Sequence, residues 1–176
     1  RNFLNNLTGD ATYSPPPQDA TNTSEYLTGQ YDFPGFTIDV SGGWTLATST
    51  LDNQGSVSTT FASPSEGALD TFTENMTVYA YPSHNEASDY AYAVADMRKT
   101  VSSLDKNPTE KTITLNGVKT FQTIFLDDSM QNVSVPVMLY SIIFTHKGML
   151  YNLVSATQWG ISSSKAFLYL FAAMGD

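Results

Sequence analysis

The chain has no cysteine, only two histidines, and eight lysines and arginines among 176 residues. The missing cysteine excludes disulfides, thiolate nucleophiles, zinc-thiolate sites and iron-sulfur ligation together. It leaves the redox compartment open. The few basic residues stand against seventeen acidic ones, for a formal charge of -9. Such a balance repels phosphate backbones and anionic lipid headgroups, so neither nucleic acid nor a membrane surface is an expected partner. Long apolar runs are also missing, and none approaches the roughly 18 residues of a membrane-spanning helix. The chain begins at Arg1 without methionine or an apolar signal core. The expectation is that any targeting segment, or a membrane or lipid anchor, belongs upstream. No repeat at a period of about 20 to 50 residues is visible.

What is present is a well-patterned core. Hydrophobic residues make up 41% and aromatics 12% of the chain, enough for one full core and too little for two. Residues 1–30 include Tyr13-Ser14-Pro15-Pro16-Pro17 and a polar run through Glu25. That stretch reads as a flexible linker or tether, leaving residues 31–176 as a single domain. Strands are expected near Thr37 to Val40, Val57 to Ala62, and Asn75 to Tyr81, where Pro82 stops the run. Ser83-His84-Asn85-Glu86 has the form of a capping box. Beyond it Tyr90, Val94, Met97, Val101 and Leu104 recur at helical spacing and place an apolar stripe on one face. Asn116-Gly117 between Lys111 to Leu115 and Val118 to Leu126 signals a hairpin. Pro136 to Thr145 and Met149 to Thr157, joined by His146, Lys147 and Gly148, form another. There apolar side chains alternate onto both faces, as in a central strand pair covered on both sides. Ser162 to Ser164 offer an N-cap for a closing helix with Ala166, Phe167, Leu170, Phe171 and Met174 on one face. The elements add up to an α+β fold, a central antiparallel sheet with helices packed on it.

Phe36-Thr37-Ile38-Asp39-Val40 with Trp44 resembles the opening of PsbP-like proteins, although Ser41 stands where that motif often has proline. Asn75 to Val78, Ser88 to Ala91, Leu115-Asn116-Gly117, and Phe144 through Gly148 to Tyr151-Asn152-Leu153 are similar in order. The resemblance runs from Tyr31 to Met174. It implies an α-β-α sandwich, with the central antiparallel sheet flanked by helices. It also implies a non-enzymatic role in binding or assembly outside the cytoplasm, often behind a lipoprotein anchor.

Catalytic patterns are sparse. A site needing two histidines would use both His84 and His146, and no nucleophile elbow accompanies any Ser-His-Asp combination. No cofactor is expected. If a divalent cation such as calcium binds, the oxygen ligands Asp127 and Asp128 with His146 are the candidate metal set. Glu66, Asp70 and Glu74 form a second acidic group. On the outer face of the long helix Tyr92, Asp96 and Lys99 leave an aromatic ring among charges, the composition of a partner-binding patch. Tyr79, Tyr81 or Trp159 would extend it. The leading expectation is therefore an extracytoplasmic module that binds another protein or a small ligand without chemistry. A metal-assisted hydrolase using an acidic loop and a structural cell-surface spacer are the alternatives.

Overall fold

The computed structural model describes residues 30–33, 36–39, 44–64, 72–105, 107–115, 117–127 and 137–158. In chain order the elements are β1 (Gln30–Phe33), β2 (Phe36–Asp39), β3 (Thr45–Leu51), β4 (Val57–Ala62), β5 (Asn75–Pro82), α1 (Glu86–Leu104), β6 (Thr109–Leu115), β7 (Val118–Asp127), β8 (Val137–His146) and β9 (Met149–Gln158). Seven strands form one sheet in the order β3-β4-β5-β9-β8-β7-β6, every pairing antiparallel. β1 and β2 make a separate two-stranded hairpin.

β8 and β9 stand at the sheet's centre, as their two-faced apolar pattern requires. Four consecutive residues of β8, Ser141 to Phe144, are buried. The turn between the two strands is tighter than the three residues expected. His146 pairs with Met149, leaving only Lys147 and Gly148, with φ of 48° and 74°. Positive φ at both positions is the type I′ arrangement that matches strand twist.

Register fixes what each face carries. Phe61, Val78, Tyr151, Leu153, Ile142 and Phe144 share one face and pack with Phe33 and Ile38 from the β1–β2 hairpin. Tyr31 meets Phe61 edge to face at 5.1 Å and Phe33 at 5.0 Å with the rings tilted, and Trp44 packs against the same cluster. The other face carries Phe121 and Ile143, covered by Tyr90, Val94 and Met97 of α1. The stripe read from the sequence is thus the buried stripe of the helix.

The expected α-β-α sandwich is corrected by this arrangement. The structure is mostly antiparallel sheet, and α1 is the one helix among the described residues. The face opposite α1 is covered by a β-hairpin whose Phe33 and Ile38 supply the apolar surface a helix would have brought. The closing helix expected over Ser162 to Met174 lies outside the described residues.

The helix start also differs from the capping box. Asn85 is the N-cap, its Oδ1 accepting from the Ser88 amide at 3.1 Å. The Ser83 hydroxyl instead donates to Asp89 Oδ2 at 2.7 Å, and Glu86 Oε1 accepts from the Gly148 amide at 2.6 Å. Ser83 N–H donates to the Gly148 carbonyl at 2.8 Å. These bonds dock the start of α1 on the β8–β9 turn. At the other end, Asp105 caps the helix and accepts from the Asn107 and Leu126 amides at 2.8 and 2.9 Å.

Candidate functional site

Pinning α1 at both ends sets it over β7, β8 and β9. β6 and β7 form the hairpin beside it, joined to the helix by the Arg98–Glu110 pair. A groove of about 750 Å³ opens between the helix and that hairpin, within the size range of small-molecule sites. Ala87, Ala91 and Val94 form its helix wall, with Val118 across from them. The polar groups are Glu86, Tyr90, Arg98, Thr112, Lys119, Thr145 and His146.

Two of the chain's few cations meet here because helix and hairpin converge. Arg98 lies one turn beyond Val94 on the same side of α1, and its guanidinium carbon sits 5.0 Å from the centre of the Phe121 ring. Its Nε donates to Glu110 Oε2 at 2.9 Å. The Arg98 side chain is 54% exposed, so this pair adds little stability. What it does is orient the guanidinium. Lys119 follows the Gly117 turn by two residues and holds its Nζ 5.1 Å from the centre of the Tyr90 ring. Among the described residues no carboxylate lies within ion-pair distance of Lys119.

The acids at this end are already hydrogen-bonded. Glu86 takes the Gly148 amide and Glu110 takes Arg98. Burial pushes the Tyr90 hydroxyl above its ordinary pKa, with the Arg98 charge and a hydrogen bond from Thr112 acting the other way. The phenol therefore stays protonated at neutral pH and serves as a hydrogen-bonding group rather than a base.

The residues singled out from the sequence are dispersed. His146 lines the groove. Asp127 ends β7 opposite Val137, while His146 lies nine positions further along β8. At about 3.3 Å per residue the separation is about 30 Å, beyond any shared ion. Asp128, Glu66 and Asp70 lie outside the described residues. Glu74 closes a loop base, accepting from the Ser63 hydroxyl at 3.0 Å. Among the described residues no three His, Asp or Glu side chains converge as a metal site would need. Tyr92, Asp96 and Lys99 are all exposed on the outer side of α1, Tyr92 by 75%. Tyr79 and Tyr81 stack on each other along β5 with ring centres 6.4 Å apart. Trp159 lies outside the described residues.

Sequence reasoning passed over Arg98, Lys119 and Tyr90 as site residues. A signal existed, because a chain with so few cations places one beside the apolar helix stripe and another just after an Asn-Gly turn. Their meeting, however, depends on the packing of α1 against β7.

No family model matches the chain, and no curated protein matches it. Among solved structures, the protein of unknown function PA94 from Pseudomonas aeruginosa, described as a candidate regulator, is similar with a TM-score of 0.50 and 10% identity. The match covers 81% of this chain and 91% of that one. At that identity the likeness concerns the fold alone.

Proposed function

We propose that this chain is a non-catalytic binding module of the PsbP-like type, tethered outside the cytoplasm through its N-terminal segment, and that the α1/β6–β7 groove is where it holds its ligand or partner. The observation that carries this reading is the convergence of Arg98 and Lys119, each held against an aromatic ring, on one groove of a chain with charge -9. Oriented donors beside apolar walls are what a binding site needs. The carboxylates at this end, Glu86 and Glu110, already accept hydrogen bonds, which supports a binding role for them over general-base work.

The test is an NMR titration of the isotope-labelled protein with a fragment set of acids, amines and neutral aromatics, followed by product analysis. Amide shifts gathered at Ala87, Tyr90, Arg98 and Lys119, with every fragment recovered unchanged, are the expected result. Turnover of any fragment would overturn the non-catalytic reading. Shifts confined to the Tyr92, Asp96 and Lys99 face would move the site to the outer side of α1.

A further inference from the structure

Resting on the assignment of the groove as the binding site, we infer that its ligand is a small organic acid, a carboxylate attached to an apolar, preferably planar, body. The polar and apolar halves of the groove each contribute one part of that description. Arg98 spends Nε on Glu110, and no further hydrogen bond of its guanidinium is formed among the described residues. Its two terminal nitrogens remain as a fork, and a fork matches a carboxylate bidentately. The guanidinium carbon rests 5.0 Å from the centre of the Phe121 ring, which limits where that fork can lie. Lys119 adds a point charge that has no carboxylate of its own among the described residues. Of the acids nearby, Glu110 is offset by its pair with Arg98 and Glu86 is turned to the Gly148 amide, which leaves Lys119 as the cation that meets an incoming anion.

The body of the ligand is set by the other wall. Ala87, Ala91, Val94 and Val118 are small or branched apolar residues with no polar atoms beyond the backbone. The Tyr90 ring lines the same groove, with Lys119 Nζ 5.1 Å from its centre. A flat apolar group lies well against small side chains and an aromatic ring. Thr112 and Thr145 supply hydroxyls to a ligand that carries a second polar group. The volume of about 750 Å³ accommodates one small molecule. Exposure of Arg98 limits the gain, because an ion pair in contact with water is worth far less than a buried one. Selectivity for charge over a neutral isostere is accordingly modest, about tenfold.

The experiment compares acid and amide pairs on the intact chain by NMR titration: benzoate with benzamide, 3-phenylpropionate with its amide, and hexanoate with its amide. A short peptide ending in phenylalanine is the remaining arm. The expected result is saturable shifts at the Tyr90, Arg98 and Lys119 amides in the millimolar range, with each acid binding about tenfold more tightly than its amide. Lys119→Met and Arg98→Gln should each erase most of that difference by weakening acid binding more than amide binding, and far-ultraviolet circular dichroism of both variants shows that they are folded. Equal binding of acid and amide in the groove overturns the carboxylate assignment and leaves the binding module standing. Failure of every probe to shift the groove, with shifts elsewhere, overturns both. Tighter binding of the peptide than of benzoate overturns the small-acid source in favour of a peptide C-terminus.

Discussion

At the scale of single residues, the left-handed turn at Lys147 and Gly148 carries a defined backbone cost. Lys147 adopts φ of 48° and Gly148 φ of 74°, a region where a Cβ is penalised. Among the described residues, no atom beyond the adjoining ones in the chain lies within 4 Å of a Cβ added at Gly148. Gly148→Ala should therefore lose about 1 to 2 kcal/mol through backbone strain alone, measured as a lower urea midpoint at unchanged m-value. Lys147→Asn should gain a few tenths of a kcal/mol, since asparagine tolerates that conformation. Gln122 makes a second residue-scale case. Buried on β7, its Nε2 has no hydrogen-bond partner among the described residues, and leaving such a group unsatisfied costs about 1 to 3 kcal/mol. Gln122→Met should raise the urea midpoint by the equivalent of about 1 kcal/mol. An unchanged or lower midpoint would show that the amide is satisfied in solution.

At the scale of elements, the surplus of acid works as local fastening. Asp52 accepts from the Gln54 and Ser56 amides in the β3–β4 turn, Asp89 from Ser83 at the start of α1, and Asp105 from Leu126 and Asn107 at its end. Hydrogen bonds to these carboxylates lower all three below the ordinary aspartate value of 3.8: the Ser56 amide leads at Asp52, the Ser83 hydroxyl at Asp89 and the Leu126 amide at Asp105. A depressed folded pKa means that the stabilisation is complete above the unfolded value and disappears as pH falls through the folded one. The urea midpoint should thus hold steady down to about pH 4 and fall below it. Asp105→Asn should flatten part of that fall, and an acid limb identical to that of the parent would remove Asp105 from the account. These fastenings were only partly legible in advance. The stripe from Tyr90 to Val101 and the strand from Val57 to Ala62 follow from periodicity, which survives into the structure because each buries a face. The bounds of β3 are not legible, because Thr45 to Leu51 is mostly threonine and serine at a sheet edge, where alternation of burial is weak. The capping box was misplaced by two residues because the Ser83 hydroxyl bonds the Asp89 side chain rather than a backbone amide, and Glu86 reaches out to the Gly148 amide. The groove escaped for the same reason: Arg98 and Lys119 are far apart in sequence, and a helix docked on β7 brings them together.

At the scale of the whole molecule, the sheet is two blocks joined along one line. β3, β4 and β5 follow one another in space as in sequence, and so do β6 to β9. The join is β5 with β9, whose nearest pair, Pro82 with Met149, encloses roughly 70 residues of chain. Closing that span loses entropy before the contacts across it form. Val78 and Leu153 face each other on that line, both fully buried. Val78→Ala and Leu153→Ala should therefore slow refolding in stopped-flow measurements, while Ile113→Ala in the outer strand β6 should mainly speed unfolding. Equal effects on both rates at all three positions would place the join elsewhere on the folding route. Strand order also has a consequence during translation. The ribosome delivers β9 last of the nine strands among the described residues, yet its place is in the middle of the sheet. While synthesis proceeds, β5 carries an open edge that is destined for the interior, and a chain cut short before Met149 loses the middle of its sheet rather than its rim.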